Sequence, residues 1–117
     1  MDVEYHKSLA KRAVYVEYDT WGSEYHYDGL SSSMGYEVGD PSDIQRVDAL
    51  VEMIECGCVA QMLLSHDICF KTSLRQYGGH GYDHLLTHIV PMLKRRGVTQ
   101  DHLNQMMIEN PKRLLAF

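Results

Sequence analysis

Met62-Leu63-Leu64-Ser65-His66-Asp67 is the stretch on which the fold turns. Three large apolar residues in succession show no alternation between a wet and a dry face. The segment therefore reads as a short strand buried on both sides, the habit of parallel sheets. It closes on Ser65, His66 and an aspartate. Upstream, residues 13–18 (AVYVEY) are β-branched and aromatic with a single charge, which predicts a second buried strand, and this one closes on Asp19.

Working outward from these strands, a loop rich in Gly, Ser and Tyr spans residues 20–39 and is longer than an ordinary strand-to-helix connection, a length that usually marks a functional or mobile segment. Asp40-Pro41-Ser42-Asp43 then predicts a helix start, with a capping side chain, proline at the first helical position and an acid in the first turn. Ile44, Val47, Leu50, Val51 and Ile54 follow as an inward stripe, and Gly57 is a left-handed stop. Beyond Asp67, an irregular stretch over 68–82 contains Gly78-Gly79-His80-Gly81. A helix over about residues 83–96 is expected next, kinked or split at Pro91 and ended by Gly97. Thr99 caps a last helix with Leu103, Met106 and Met107 inward, which Asn110-Pro111 is expected to end, leaving Leu114, Leu115 and Phe117 to dock the tail. At the other terminus Asp2 caps a short helix reaching toward Arg12, with Tyr5 and Leu9 on one face.

Helix, strand, long loop, helix, strand, long loop, helices is the repeating unit of an α/β fold. Two parallel strands cannot be a whole sheet, since each leaves an unpaired edge, so further strands must come from elsewhere. The 117 residues fit one domain and amount to about half of the roughly 250 that a complete (β/α)8 barrel needs.

Composition narrows the partners. A net charge of -5 with scattered Lys and Arg offers no stripe for a phosphate backbone, so no nucleic acid is expected. No apolar run reaches the roughly 18 residues of a spanning helix, and the first residues lack the charged start and apolar stretch of a signal peptide, so no membrane and a cytoplasmic setting are expected. Cys56, Cys58 and Cys69 are odd in number, and the Cys-Gly-Cys spacing is too tight for an ordinary disulfide framework. Reduced thiols fit best.

Asp67 is the leading candidate for chemistry, because residues at the carboxyl ends of strands line the active sites of α/β proteins. A carboxylate there can bind a cation, or simply cap the next turn. Side chains alternate along a strand, so His66 and Asp67 point to opposite sides. His84 and His88 stand one helical turn apart and could clip a zinc ion, but Leu85 sits where a zinc protease needs its Glu base, and a solvated helix face is the plainer reading. Cys56 and Cys58 with Cys69 do not have the spacing of a structural zinc site, and the glycine-rich segment around His80 lacks the lysine of a P-loop. Lys71, Arg75 and Tyr77 lie on the loop after Asp67, and Trp21 and Tyr25 on the earlier loop. From there they would line a substrate pocket or serve as surface residues and loop anchors.

Leu64-Ser65-His66-Asp67-Ile68 followed by Gly78-Gly79-His80-Gly81-Tyr82 resembles the strand-8 region of the phosphotriesterase family, within the amidohydrolase superfamily. Val16-Glu17-Tyr18-Asp19-Thr20-Trp21-Gly22 is similar to that family's strand 7, and Ile108-Glu109-Asn110-Pro111-Lys112-Arg113-Leu114 to its closing segment. The likeness keeps its order over nearly the whole chain. It implies an α/β fold in which residues 1–117 form one partial domain, the C-terminal part (about strands 7 and 8 with their helices) of a (β/α)8 TIM barrel. It also implies a binuclear metal site, usually Zn2+, bridged by hydroxide. The family's ligands are a His-x-His on strand 1, a carboxylated Lys on strand 4, a His on each of strands 5 and 6 and an Asp on strand 8, and the last alone is matched here, by Asp67. In the family that Asp binds a metal and accepts a proton as the hydroxide attacks an ester, lactone, amide or phosphoester centre of a small-molecule substrate.

Two expectations follow. In one the chain is a fragment of a zinc-dependent hydrolase acting on ester-type bonds, with Asp67 both catalytic and metal-binding and with Arg75, Tyr77 and Trp21 in the substrate pocket. In the other it is a truncated, non-catalytic α/β module that persists only by pairing its open strand edges with a partner or as a homo-oligomer. On either reading the isolated chain is expected to be inactive.

Overall fold

Asp2 opens the first helix by accepting the Tyr5 N–H at 3.0 Å, and α1 spans Val3–Ala10 in the computed structural model, which describes residues 1–24 and 39–116. The turn that follows ends with Ala13 at φ 57°, a left-handed conformation that no strand residue can share. The first strand, expected from residue 13, therefore begins later: β1 is Val16–Tyr18. It pairs in parallel with β2, Met62–Leu64, in the register Val16 to Met62, Glu17 to Leu63 and Tyr18 to Leu64.

All three residues of β2 are buried, as the unbroken apolar run predicts. In β1, by contrast, Tyr18 is buried, Val16 half-buried and Glu17 exposed, so the expected burial on both faces is not met. The physical reason is the partner count. Among the described residues the sheet has two strands, and the exposed Glu17 carboxylate accepts the Ser65 hydroxyl at 2.6 Å. Pairing continues past the strand ends, with the Ser65 N–H donating to Tyr18 O at 3.2 Å and the Asp67 N–H to Asp19 O at 2.8 Å.

The helix between the strands, α2 (Asp43–Glu55), starts two residues later than expected. Ser42, not Asp40, is the cap. Its hydroxyl accepts the Gln45 N–H at 3.3 Å and its own N–H donates to the Gln45 side chain at 2.8 Å, a capping box that leaves Pro41 outside the helix. This phase turns Ile44 out to 57% exposure and brings Arg46 in, while Val47, Leu50 and Met53 form the inward face. Gly57 stops the helix at φ +81°, as expected.

The helices beyond residue 83 show what proline does when packing demands that a helix continue. Leu85–Ile89 is a π turn followed directly by α3, Val90–Arg95. The Val90 N–H reaches back five residues to Leu85 O, which widens the ladder just before Pro91, the residue that has no N–H and whose ring needs room. The same device recurs. α4, Gln100–Asn104, passes through the π turn Gln105–Glu109 into α5, Asn110–Leu115, across Pro111. Asn110-Pro111 thus does not end the helix as expected, and Leu114 and Leu115 are exposed on it, not docked; Phe117 lies outside the described residues.

Leu50 and Met53 of α2, Met62 of β2, Ile89, Leu93 and Met106 meet in one core. It sits on one side of the strand pair and holds the carboxyl ends of β1 and β2, with Asp19 and Asp67, at the same end of the molecule.

Candidate functional site at the strand ends

Asp67 is exposed, and its backbone is tied to Asp19 across the two strand ends. Its side chain borders a cavity of about 120 Å³ that also receives Thr20 and Ser23 from the loop after β1, and Ser73 and His80 from the loop after β2. The two irregular stretches therefore meet over the strand ends. Asp19 is held above the ordinary carboxylate value, first by burial and then by the negative charges of Glu17 and Asp67, against which its own backbone hydrogen bond and Arg46 act. The structure thus brings a second strand-end carboxylate next to the predicted one.

Asp43, the first residue of α2, locks this end together. Its carboxylate accepts the Gly22 N–H at 2.9 Å and Arg46 at 3.1 Å through one oxygen, and meets His84 Nε2 at 2.7 Å through the other. Arg46, almost fully buried, also donates to Ser23 O at 2.6 Å. Burial would raise the Asp43 carboxyl, but the Gly22 N–H, His84 and Arg46 outweigh it and hold it below its usual range. The sequence signal was there in the acid of the helix's first turn, though a capping reading hid its reach to His84.

His66, His80, His84 and His88 form a row of rings 4.8 to 6.4 Å apart by centroid between neighbours. The Nε2 of His66 accepts the Leu85 N–H at 2.8 Å. That bond requires the proton of a neutral ring on Nδ1, which is buried without a partner among the described residues, as is Nε2 of His80. Burial first, and then the neighbouring histidines, hold both His66 and His80 below the ordinary imidazole value. The His80 ring fits against Gly22 so closely that a Cβ there would lie 2.5 Å from its Cγ, and Gly22 itself stands at φ +81°. His80 divides the Asp67 cavity from an open cleft of about 460 Å³ bordered by Arg75, Gly78 and His88.

The remaining predicted residues separate. Arg75 is exposed at the cleft and bound to Asp83 at 2.7 Å. Tyr77 is 49% exposed with the Lys71 ammonium 4.5 Å above its ring. Trp21, expected as a pocket wall, is a core residue instead: 1% exposed, stacked on Tyr18, with its indole N–H donating to Tyr18 O at 2.9 Å. Tyr25 lies outside the described residues. Among the described residues no group of three or more His, Cys, Asp or Glu is arranged to hold a metal ion. The described residues by themselves therefore do not fit a two-metal cluster. No described helix is long and apolar enough to cross a membrane.

The sequence pattern of the phosphotriesterase family matches residues 1–115. Human N-acetyltaurine hydrolase is 41% identical over 110 residues, covering 93% of this chain and 30% of that protein. The phosphotriesterase-related protein of Drosophila melanogaster is 41% identical over 116 residues, 99% of this chain and 32% of that one. Among solved structures, a resiniferatoxin-binding protein from Rhodobacter sphaeroides superposes with a TM-score of 0.84 at 33% identity, over 97% of this chain and 30% of its own. The phosphotriesterase homology protein of Escherichia coli, solved with phosphate in its active site, gives 0.78 at 28% identity, over 96% and 34%. These neighbours are TIM-barrel proteins, and the chain spans about a third of the length of the relatives it matches.

Proposed function

Because the chain belongs to the phosphotriesterase family, we propose that it is the C-terminal part of a (β/α)8-barrel hydrolase, with β1 and β2 as strands 7 and 8. On this reading Asp67 is a metal ligand and the proton acceptor in hydrolysis of an ester-type bond, whether amide, lactone or phosphotriester. The human relative's name makes an N-acyl amide the first substrate to try. The observation that carries the proposal is the position of Asp67: an exposed carboxylate at the carboxyl end of a buried parallel strand, opening on a cavity walled by both long loops.

The family is generally metal-dependent, and zinc is the ion proposed. The other ligands then come from beyond the described residues, since no described cluster supplies them. What this chain does is hold one carboxylate in place. The Asp67 N–H is bound to Asp19 O, and beneath it the Asp43, Arg46 and His84 contacts fix the loop that carries Gly22 and Ser23. Arg75 and Tyr77, both exposed on the loop after β2, are the proposed substrate contacts. Trp21 contributes by anchoring the start of the β1 loop.

A chimera in which these 117 residues replace the matching third of the human N-acetyltaurine hydrolase tests the proposal. Changing Asp67→Ala is expected to lower kcat/KM about 100-fold or more while the circular dichroism spectrum stays that of the unaltered chimera. Unchanged turnover at full metal occupancy would falsify the assignment.

The reading of the chain as a non-catalytic module draws on a different observation. β1 exposes Glu17, and each strand of the described pair has one edge free, the condition under which a second copy or a partner strand would be recruited.

A further inference from the structure

Cys56-Gly57-Cys58 lies where α2 ends and the chain turns into β2, at the opposite end of β2 from Asp67. The turn is fixed by backbone bonds. The Gly57 N–H donates to Ile54 O at 2.9 Å and the Cys58 N–H to Met53 O at 3.0 Å, with Gly57 at φ +81°, which is the pattern of a Schellman turn. Across it the two thiols meet: Cys56 Sγ donates to Cys58 Sγ at 3.1 Å and lies 3.2 Å from Met53 O.

We infer that Cys56 and Cys58 close a reversible intramolecular disulfide, a thiol-modification site separate from the hydrolytic site and independent of that reading. The sulfurs need to approach by only about one ångström to reach the roughly 2.05 Å of a bond. Nothing lies within 4 Å of the position a Gly57 Cβ would take, so the turn has room to adjust around the new bond. A ring closed across a single residue is strained, and small thiols reopen it.

The two sulfurs differ in access. Cys56 is exposed, whereas Cys58 is partly buried against the core, and burial, followed by the hydrogen bond from Cys56, holds its thiol above the ordinary value. Cys56 therefore meets the oxidant, a low-molecular-weight disulfide. Its thiolate attacks one sulfur and releases one small thiolate. Cys58 then gives its proton to solvent and attacks Cys56 Sγ, expelling the second small thiolate. Two protein thiols are oxidised and one small disulfide is reduced to two thiols.

The test incubates the 117-residue chain with glutathione and glutathione disulfide at graded ratios, then quenches in acid and alkylates. Cleavage on the amino side of aspartates puts Cys69, exposed and free, on a separate peptide as an internal control. The expected product is the Cys56–Cys58 peptide two hydrogens lighter and unalkylated. The disulfide-to-thiol ratio for half-oxidation should be about ten-fold lower, or less, in buffer than in concentrated urea, because the turn pre-organises the pair. Cys58→Ser is expected to stop at a mixed disulfide on Cys56. Equal ratios in buffer and urea, mixed disulfides on both cysteines without a ring, or a disulfide between two chains would each overturn the inference.

Discussion

Asn110 is fully buried, yet it is polar at both ends of its side chain, and each end is used. Its amide donates to Val59 O at 2.8 Å and Met62 O at 2.6 Å, while its oxygen accepts from Gln105 at 2.5 Å and from Arg113. The last helix is thereby fastened to the carbonyls that lead into β2. Replacing Asn110→Ala removes both bonds, leaving Val59 O with the Met62 N–H alone and the buried Met62 carbonyl without its side-chain donor, and urea unfolding should show a loss of about 1–3 kcal/mol; a loss below about 0.5 kcal/mol would mean that water takes over both bonds. The predicted site residues divide by the same criterion of burial. Arg75→Ala and Tyr77→Ala in the chimera should change relative rates between amide and lactone substrates and barely move the melting temperature, because both side chains are exposed. Trp21→Ala should instead cost about 3–5 kcal/mol. The reverse pattern would place Arg75 and Tyr77 in the structure and Trp21 in the pocket. The place of Asp67, at the end of a buried strand and on the border of a cavity, was legible because the unbroken apolar run before it fixes where the strand stops. Trp21 was misread because an aromatic on a loop looks the same in sequence whether its ring turns toward the pocket or, as the Tyr18 carbonyl directs it, toward the core.

At the scale of elements, local chemistry specifies where helices begin and packing decides where they end. Ser42 and Gln45 bond each other's backbone reciprocally, and the Ser42→Ala change should destabilise the chain by about 1 kcal/mol in urea, with α2 as the segment whose amide exchange accelerates. An undisturbed exchange pattern over α2 would show that its buried face, not its cap, holds the first turn. This start was legible to within two residues: the acid-proline-serine-acid run announced a helix, and only the competition between Asp40 and Ser42 for the cap was misjudged. The continuation through Pro91 and Pro111 was harder to read, because a proline inside a helical pattern signals a break when the chain is considered locally. Leu93, fully buried, lies beyond Pro91, and a helix that stopped at that proline would give up its burial; beyond Pro111 the continued helix carries Arg113 to Ala60 O at 3.1 Å. The π turns resolve the conflict by widening the ladder one turn before each ring.

At the scale of the whole molecule, the described sheet is two strands of three residues, and its order β1-β2 leaves an open edge on each side. The α/β alternation was legible because a period-two or unbroken apolar run next to a period-3.6 stripe is a local signal; the number of strands is not, since it depends on what pairs with those edges. The isolated 117-residue chain should therefore neither hold two equivalents of zinc nor hydrolyse N-acyl amides, lactones or phosphotriesters above background. Zinc in a hydrolytic site takes three protein ligands and a water, and two such ions need donors converging from several strands. Among the described residues Asp67 has no group of three His, Cys, Asp or Glu to join. The same open edges, together with exposed apolar side chains such as Val14 and Phe70, should drive the chain to associate, so a sizing column is expected to show species larger than one copy. Metal analysis after dialysis, a hydrolysis assay and the column are read together: a monomer carrying two zinc ions and turning over a lactone would mean that these residues close a working site by themselves, against the ligand count and the sheet alike.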